Sequence, residues 1–132
     1  MREIKFRVQA IDSIGKKYWI EFDLFKSFEN PIAKGSTYGH AILPETVSQF
    51  TGLKDKNGKE IWENDIVKTN HCSWKEEIYI SQVVFGIKAH GYTLKVDTKK
   101  YNKWGAIKYY SLPPSNNIEV IGNIFDNPEL IK

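Results

Sequence analysis

Apolar residues at every second position dominate the clearest windows of this chain, and that period belongs to a strand with one buried face. Ile4, Phe6, Val8 and Ala10 alternate with Lys5, Arg7 and Gln9; Tyr18, Ile20, Phe22 and Leu24 alternate with Trp19, Glu21 and Asp23. Between the two windows lie residues 12–17, whose Gly15 supplies a turn, so the opening reads as a β-hairpin. A helix would scatter these residues around its surface, so a helical architecture is excluded for the windows that are most strongly patterned.

The rest of the chain continues the theme with punctuation. Residues 27–43 carry Pro31, Gly35, Ser36 and Gly39 without any period, and are expected to form a long surface loop. Pro44 opens a stretch, 44–50, expected to make a brief helical turn before Gly52. The sharpest local signal is Asn57-Gly58 between 50–54 and 60–62, the pair that a tight type I′ hairpin turn favours. Asn64-Asp65 makes a further turn, Ile66 to Lys68 resume extended structure, and a polar break is expected at 69–75. Residues 78–85 are β-rich on both faces, as in a strand from the middle of a sheet. Tyr92, Leu94 and Val96 alternate with Thr93, Lys95 and Asp97, residues 106–112 form a returning strand ended by Pro113-Pro114, and 118–125 form the last strand. Gly122 marks a bulge or a close backbone approach, and Asn127-Pro128 suits the start of a short terminal helical turn.

At 132 residues, 41% of them hydrophobic, the chain has the material for one core and one domain, 1–132. The expected class is all-β, a single compact barrel or sandwich, with an SH3-like barrel favoured because a turn, an acidic residue and an apolar pair before a later hairpin resemble the start of such barrels. Nineteen Lys and Arg against sixteen Asp and Glu leave a net charge of +3, which permits nucleic-acid binding without demanding it. One cysteine, Cys72, forms no intrachain disulfide, so a reducing compartment, the cytoplasm, is expected. No window has the length or apolarity of a signal peptide or a membrane span.

Three stretches carry a resemblance. The opening Arg2-Glu3-Ile4-Lys5-Phe6-Arg7, the central stretch from Glu45-Thr46-Val47 through Lys68, and the closing Ile118 to Leu130 resemble the YopX family of phage and prophage proteins, most specifically in Gln49-Phe50-Thr51-Gly52-Leu53-Lys54-Asp55-Lys56-Asn57-Gly58-Lys59-Glu60-Ile61-Trp62-Glu63-Asn64-Asp65-Ile66-Val67. Asn64 stands where the family pattern has glycine, and Gln9 where a tryptophan is common. The first departure is mild, since asparagine tolerates a left-handed turn. The resemblance implies an all-β protein of a mobile genetic element and brings no catalytic residues with it.

Chemistry is thinly signalled. Glu60, Glu63 and Asp65 are close in sequence, but an aspartate in a turn accepts backbone N–H bonds and glutamates decorate the wet face of a hairpin, so a structural role outweighs catalysis or a metal. His40, His71, His90 and Cys72 fit no zinc spacing, and no glycine loop has the strand–turn–helix order that cradles phosphate. No metal, cofactor, catalytic residue or small-molecule substrate is therefore expected. The segment 95–110 is different: Lys95, Lys99, Lys100, Lys103 and Lys108 face only Asp97, with Tyr101, Trp104, Tyr109 and Tyr110 interleaved. Lysines neutralise phosphates and aromatic faces stack bases, so Lys99, Lys100, Tyr101, Lys103 and Trp104 form a candidate nucleic-acid surface. The plainer account is an exposed hairpin whose lysines discourage edge-to-edge aggregation. The leading expectation is a non-enzymatic phage accessory protein that binds another protein or its own copies, with nucleic-acid binding as the alternative.

Overall fold

In a computed structural model, which describes residues 4–23, 41–72, 76–85, 91–97, 105–113 and 115–131, the alternation becomes strands nearly throughout. The order is β1 (Phe6–Ile11), β2 (Lys17–Phe22), β3 (Ala41–Lys54), β4 (Glu60–Trp62), β5 (Asp65–Cys72), β6 (Glu76–Phe85), β7 (Tyr92–Asp97), β8 (Ile107–Ser111) and β9 (Ile118–Asn123), with 3-10 turns at Ser115–Asn117 and Pro128–Ile131. The all-β class is as expected, and the antiparallel strands are consistent with a β-barrel or sandwich. The chain divides into two compact units, Met1–Gly52 and Leu53–Lys132.

In the first unit β1 lies between β2 and β3. The expected β1–β2 hairpin is present, from Phe6 opposite Phe22 to Ile11 opposite Lys17, and the Phe6 and Phe22 rings stack at 5.7 Å. Val8 and Ala10 are buried as their alternation requires, but so is Gln9. Its burial has a cause on β3. Arg7 pairs with Ser48 but Gln9 with Leu43, so β3 carries extra residues at that point. The Thr46 hydroxyl fills the break, accepting from the Gln9 N–H (2.8 Å) and donating to the Leu43 carbonyl (2.6 Å). This corrects two expectations. Residues 44–50 form no helical turn but lie in β3, with Pro44, which has no N–H, in the interrupted part of the ladder. Of the expected loop 27–43, residues 41–43 are strand and 27–40 lie outside the described residues.

The second unit contains a five-stranded antiparallel sheet in the order β8-β7-β6-β5-β9, with β6 central as its two-faced apolar sequence requires. Val67, Val83, Leu94 and Ile118 pack with Ile61 in its core, against Tyr92, Leu112 and Val120. The expected polar break at 69–75 is corrected as far as Cys72, because β5 continues and Thr69, fully buried, pairs with Tyr79 and Ile118; residues 73–75 lie outside the described residues.

The hairpin at Asn57-Gly58 forms, but with a different turn. Among the described residues Asn64 is the one non-glycine with positive φ (69°), so Asn57 does not adopt the conformation that type I′ demands, whereas Gly58 (80°) does. Asp55 accounts for the difference. Its Oδ1 accepts from the Asn57 and Lys59 N–H groups (both 2.9 Å), which favours the longer loop closed by one left-handed glycine.

At the C-terminus, Ile66 pairs with Gly122 but Val67 with Val120, so β9 bulges where Gly122 anticipates it. A Cβ on Gly122 would stand 2.4 Å from Asn127 Oδ1. Pro128 begins the terminal turn as expected, while the Asn127 side chain reaches back to accept from the Asn123 N–H (3.3 Å).

Candidate functional site

One face of the five-stranded sheet is the core; the other carries the candidate surface. Because side chains alternate, Ser81 and Val83 of β6 share the core face with Leu94 and Val96 of β7, which leaves Ile78, Ile80, Gln82, Lys95 and Asp97 on the opposite side. Ile107 of β8, paired with Asp97, and Lys68 of β5, paired with Ile80, belong to that side too. A groove of about 160 Å³ runs between Ile80, Gln82, Lys95, Asp97, Ile107 and Ile131. Ile78 and Ile107 are each 51% exposed, a large apolar exposure for residues in a sheet, and charges of both signs lie among them.

A second hollow, about 270 Å³, opens where the two motif blocks meet, between Lys56, Lys68, Thr69, Ile78, Asn116, Asn117, Ile118 and Glu119. Its lysine from the hairpin turn is engaged: Lys56 Nζ lies 3.3 Å from Glu119 Oε2. The blocks themselves are joined by main-chain bonds. The Lys56 N–H donates to the Ile118 carbonyl (2.9 Å) and the Ile124 N–H to the Asn64 carbonyl (3.0 Å). Asp55 Oδ2 accepts from the Val120 N–H at 2.9 Å. Burial works against the Asp55 charge, but the N–H donors of Val120, Lys59 and Asn57, with the Lys59 charge, outweigh it and hold the carboxyl below its ordinary pKa.

The expected sites fare unequally. Lys99, Lys100, Tyr101, Lys103 and Trp104 lie outside the described residues, as do His40 and His90. The described remainder of the basic segment is divided: Lys95 and Tyr109 pair on the open face, while Lys108 pairs with Val96 and Tyr110 with Leu94 on the other. Alternation along a strand makes that division unavoidable and separates charges that a single phosphate track would need together. Asp65 is buried, and its Oδ2 accepts from the Trp62 N–H at 2.8 Å, the turn role expected of it. Glu60 and Glu63 are half-buried rather than fully wet. Among the described residues no three His, Cys, Asp or Glu side chains are grouped to hold a metal, and no helix is long and apolar enough to cross a membrane. Sequence reasoning missed the open face, because Ile78 and Ile80 look like core in a strand apolar on both sides; an isoleucine beside Lys108 in the returning strand was the available hint.

A family model described as YopX protein matches residues 5–132. Among solved structures, the crystal structure of protein EF1440 from Enterococcus faecalis is similar at 20% identity, over 95% of this chain and 75% of that one, with a TM-score of 0.39. No curated protein matches the chain.

Proposed function

The chain belongs to the YopX family, and from that premise we propose that it acts without catalysis, as a binding module of a phage or prophage in the bacterial cytoplasm, taking another protein or its own copy on the open sheet face. The observation that carries the reading is the half-exposure of Ile78 and Ile107 on the side of the sheet where Ile80 and Ile107 line a groove. Exposed apolar side chains rimmed by mixed charge are the composition of a protein interface rather than of a nucleic-acid surface, which needs one sign of charge. Of the acidic residues weighed for chemistry, Asp65 supports the same view, since its Oδ2 accepts from the Trp62 backbone N–H of its turn.

The test is recovery of the tagged full chain from infected cells, scored separately for retained protein and retained nucleic acid, beside an Ile107→Asp variant whose circular dichroism matches the parent. Retained protein that the substitution releases is the expected result. Retention of nucleic acid instead, or of protein indifferent to Ile107, overturns the reading.

A further inference from the structure

We propose that Asn57 is a site of spontaneous covalent modification, at which the β3–β4 turn converts from asparagine to aspartate and isoaspartate, and that Asp55 sets the rate. Asn57 is the one asparagine of the sequence that glycine follows. Both residues of the pair are exposed, and among the described residues the Asn57 carboxamide has no hydrogen-bond partner. Nothing lies within 4 Å of the place where a Gly58 Cβ would stand, so no side chain crowds the Gly58 nitrogen. That nitrogen, on losing its proton, attacks the Asn57 Cγ. The new N–C bond closes a succinimide ring, and the side-chain nitrogen takes up a proton and leaves as ammonia. Water then opens the ring. Cleavage of the bond from nitrogen to Cγ gives aspartate on an ordinary main chain, and cleavage of the bond to the main-chain carbonyl carbon gives isoaspartate, whose chain runs through Cβ and Cγ. Water is the sole co-reactant, and either product carries a negative charge that asparagine lacks.

In the folded turn the reacting nitrogen is held. Its N–H donates to the Asp55 carbonyl at 3.0 Å, while Asp55 Oδ1 accepts from the N–H groups on either side, those of Asn57 and Lys59, both at 2.9 Å. The proton is retained and the nitrogen is turned to Asp55 rather than to Cγ, so the ring closes only when the turn opens. Asp55 Oδ2, on the Val120 N–H at 2.9 Å, ties that opening to the seating of β9. The rate of modification is therefore governed by local opening, which Asp55 opposes from both carboxylate oxygens. The coupling also runs the other way. Isoaspartate inserts a further carbon into the main chain between the two N–H groups that Oδ1 accepts, so the carboxylate loses one of them and its hold on β9 weakens.

Incubation of the full chain in warm, mildly alkaline buffer, followed by peptide mapping in a mass spectrometer and an isoaspartate assay, tests this. Conversion is expected at Asn57 before any other asparagine, and roughly tenfold faster both in the parent unfolded by urea and in folded Asp55→Ala. Should Asp55→Ala fail to fold, Asp55→Asn, which keeps an acceptor oxygen but loses the charge, must accelerate conversion by about threefold. In urea, where the turn no longer matters, Gly58→Ala is expected to slow it by about tenfold through the added Cβ. The isoaspartate form, separated by ion exchange, should unfold at lower urea than the parent, whereas Asn57→Asp, with the same charge on an ordinary main chain, should stay close to it. Conversion that begins at another asparagine, a rate indifferent to unfolding or to Asp55, or an isoaspartate form as stable as the parent overturns the inference.

Discussion

Two hairpin turns in this molecule are built on the same short pattern, aspartate, two variable residues, glycine and lysine: Asp12-Ser13-Ile14-Gly15-Lys16 in the first unit and Asp55-Lys56-Asn57-Gly58-Lys59 in the second. Their main chains agree in detail. The aspartate N–H donates to the lysine carbonyl at 2.9 and 2.8 Å, and the glycine N–H to the aspartate carbonyl at 3.1 and 3.0 Å. In both, aspartate Oδ1 accepts two N–H groups, from Ile14 and Lys16 in one and from Asn57 and Lys59 in the other. What differs is the second carboxylate oxygen. Asp12 is half-buried, whereas Asp55 is buried and its Oδ2 takes the Val120 N–H of β9. One local grammar thus serves as a plain reversal in one place and as a clasp on an edge strand in the other. The clasp, with the Lys56 N–H on the Ile118 carbonyl, occupies polar groups of β9 that would otherwise offer a template for another strand.

The largest effect follows from that difference. Asp55→Ala leaves three backbone N–H groups without their acceptor, one of them in a strand 65 residues away, and is expected to cost between roughly 2 and 5 kcal/mol. Asp12→Ala removes two local bonds that water replaces at an exposed turn, for about 0.5–1 kcal/mol. Urea denaturation of both variants checks the contrast. Equal losses would mean that the bond to Val120 contributes nothing and that the clasp is only a turn.

The pH dependence sharpens the same comparison. Asp55 has a lower pKa folded than unfolded, despite its burial, because three N–H donors and the Lys59 charge favour its ionised form. Its contribution is therefore complete above the ordinary carboxyl range, about pH 4, and is lost as pH falls through the lowered folded value. Denaturation midpoints measured downward from neutral pH should show that acid limb in the parent and a flatter one in Asp55→Asn. A limb of unchanged steepness in the variant would assign it to other groups.

Much of this was readable in the sequence, and the exceptions share a cause. The β1–β2 hairpin, the turn glycines 15 and 58, the left-handed Asn64, the bulge at Gly122 and the terminal turn at Pro128 are all fixed by residues within a few positions of one another. Strand β3 was hidden because Pro44 argues against a ladder, and the device that admits it, the Thr46 hydroxyl, bonds Gln9 from 37 residues away. The polar end of β5 was hidden likewise, since Thr69 is a strand residue only by virtue of its neighbours Tyr79 and Ile118. The open face is the extreme case. Ile66, Ile78 and Ile80 are the same residue type in similar windows, yet Ile66 is fully buried and Ile78 is half exposed, a distinction made by tertiary packing alone.

The smallest effect should be the one in which the two turns behave alike. Gly15 (φ 87°) and Gly58 (φ 80°) both occupy the left-handed region, and an added Cβ would meet nothing within 4 Å at either. Only backbone strain is then at stake, so Gly15→Ala and Gly58→Ala should each lose about 1 kcal/mol, equal to within about 0.5 kcal/mol. Equality here, beside a large difference between the two aspartates, would locate the clasp in the carboxylate rather than in the path of the chain. A markedly greater loss at Gly58 would instead mean that the bond to Val120 tolerates no shift of the turn, because a strained loop would carry Asp55 Oδ2 away from β9.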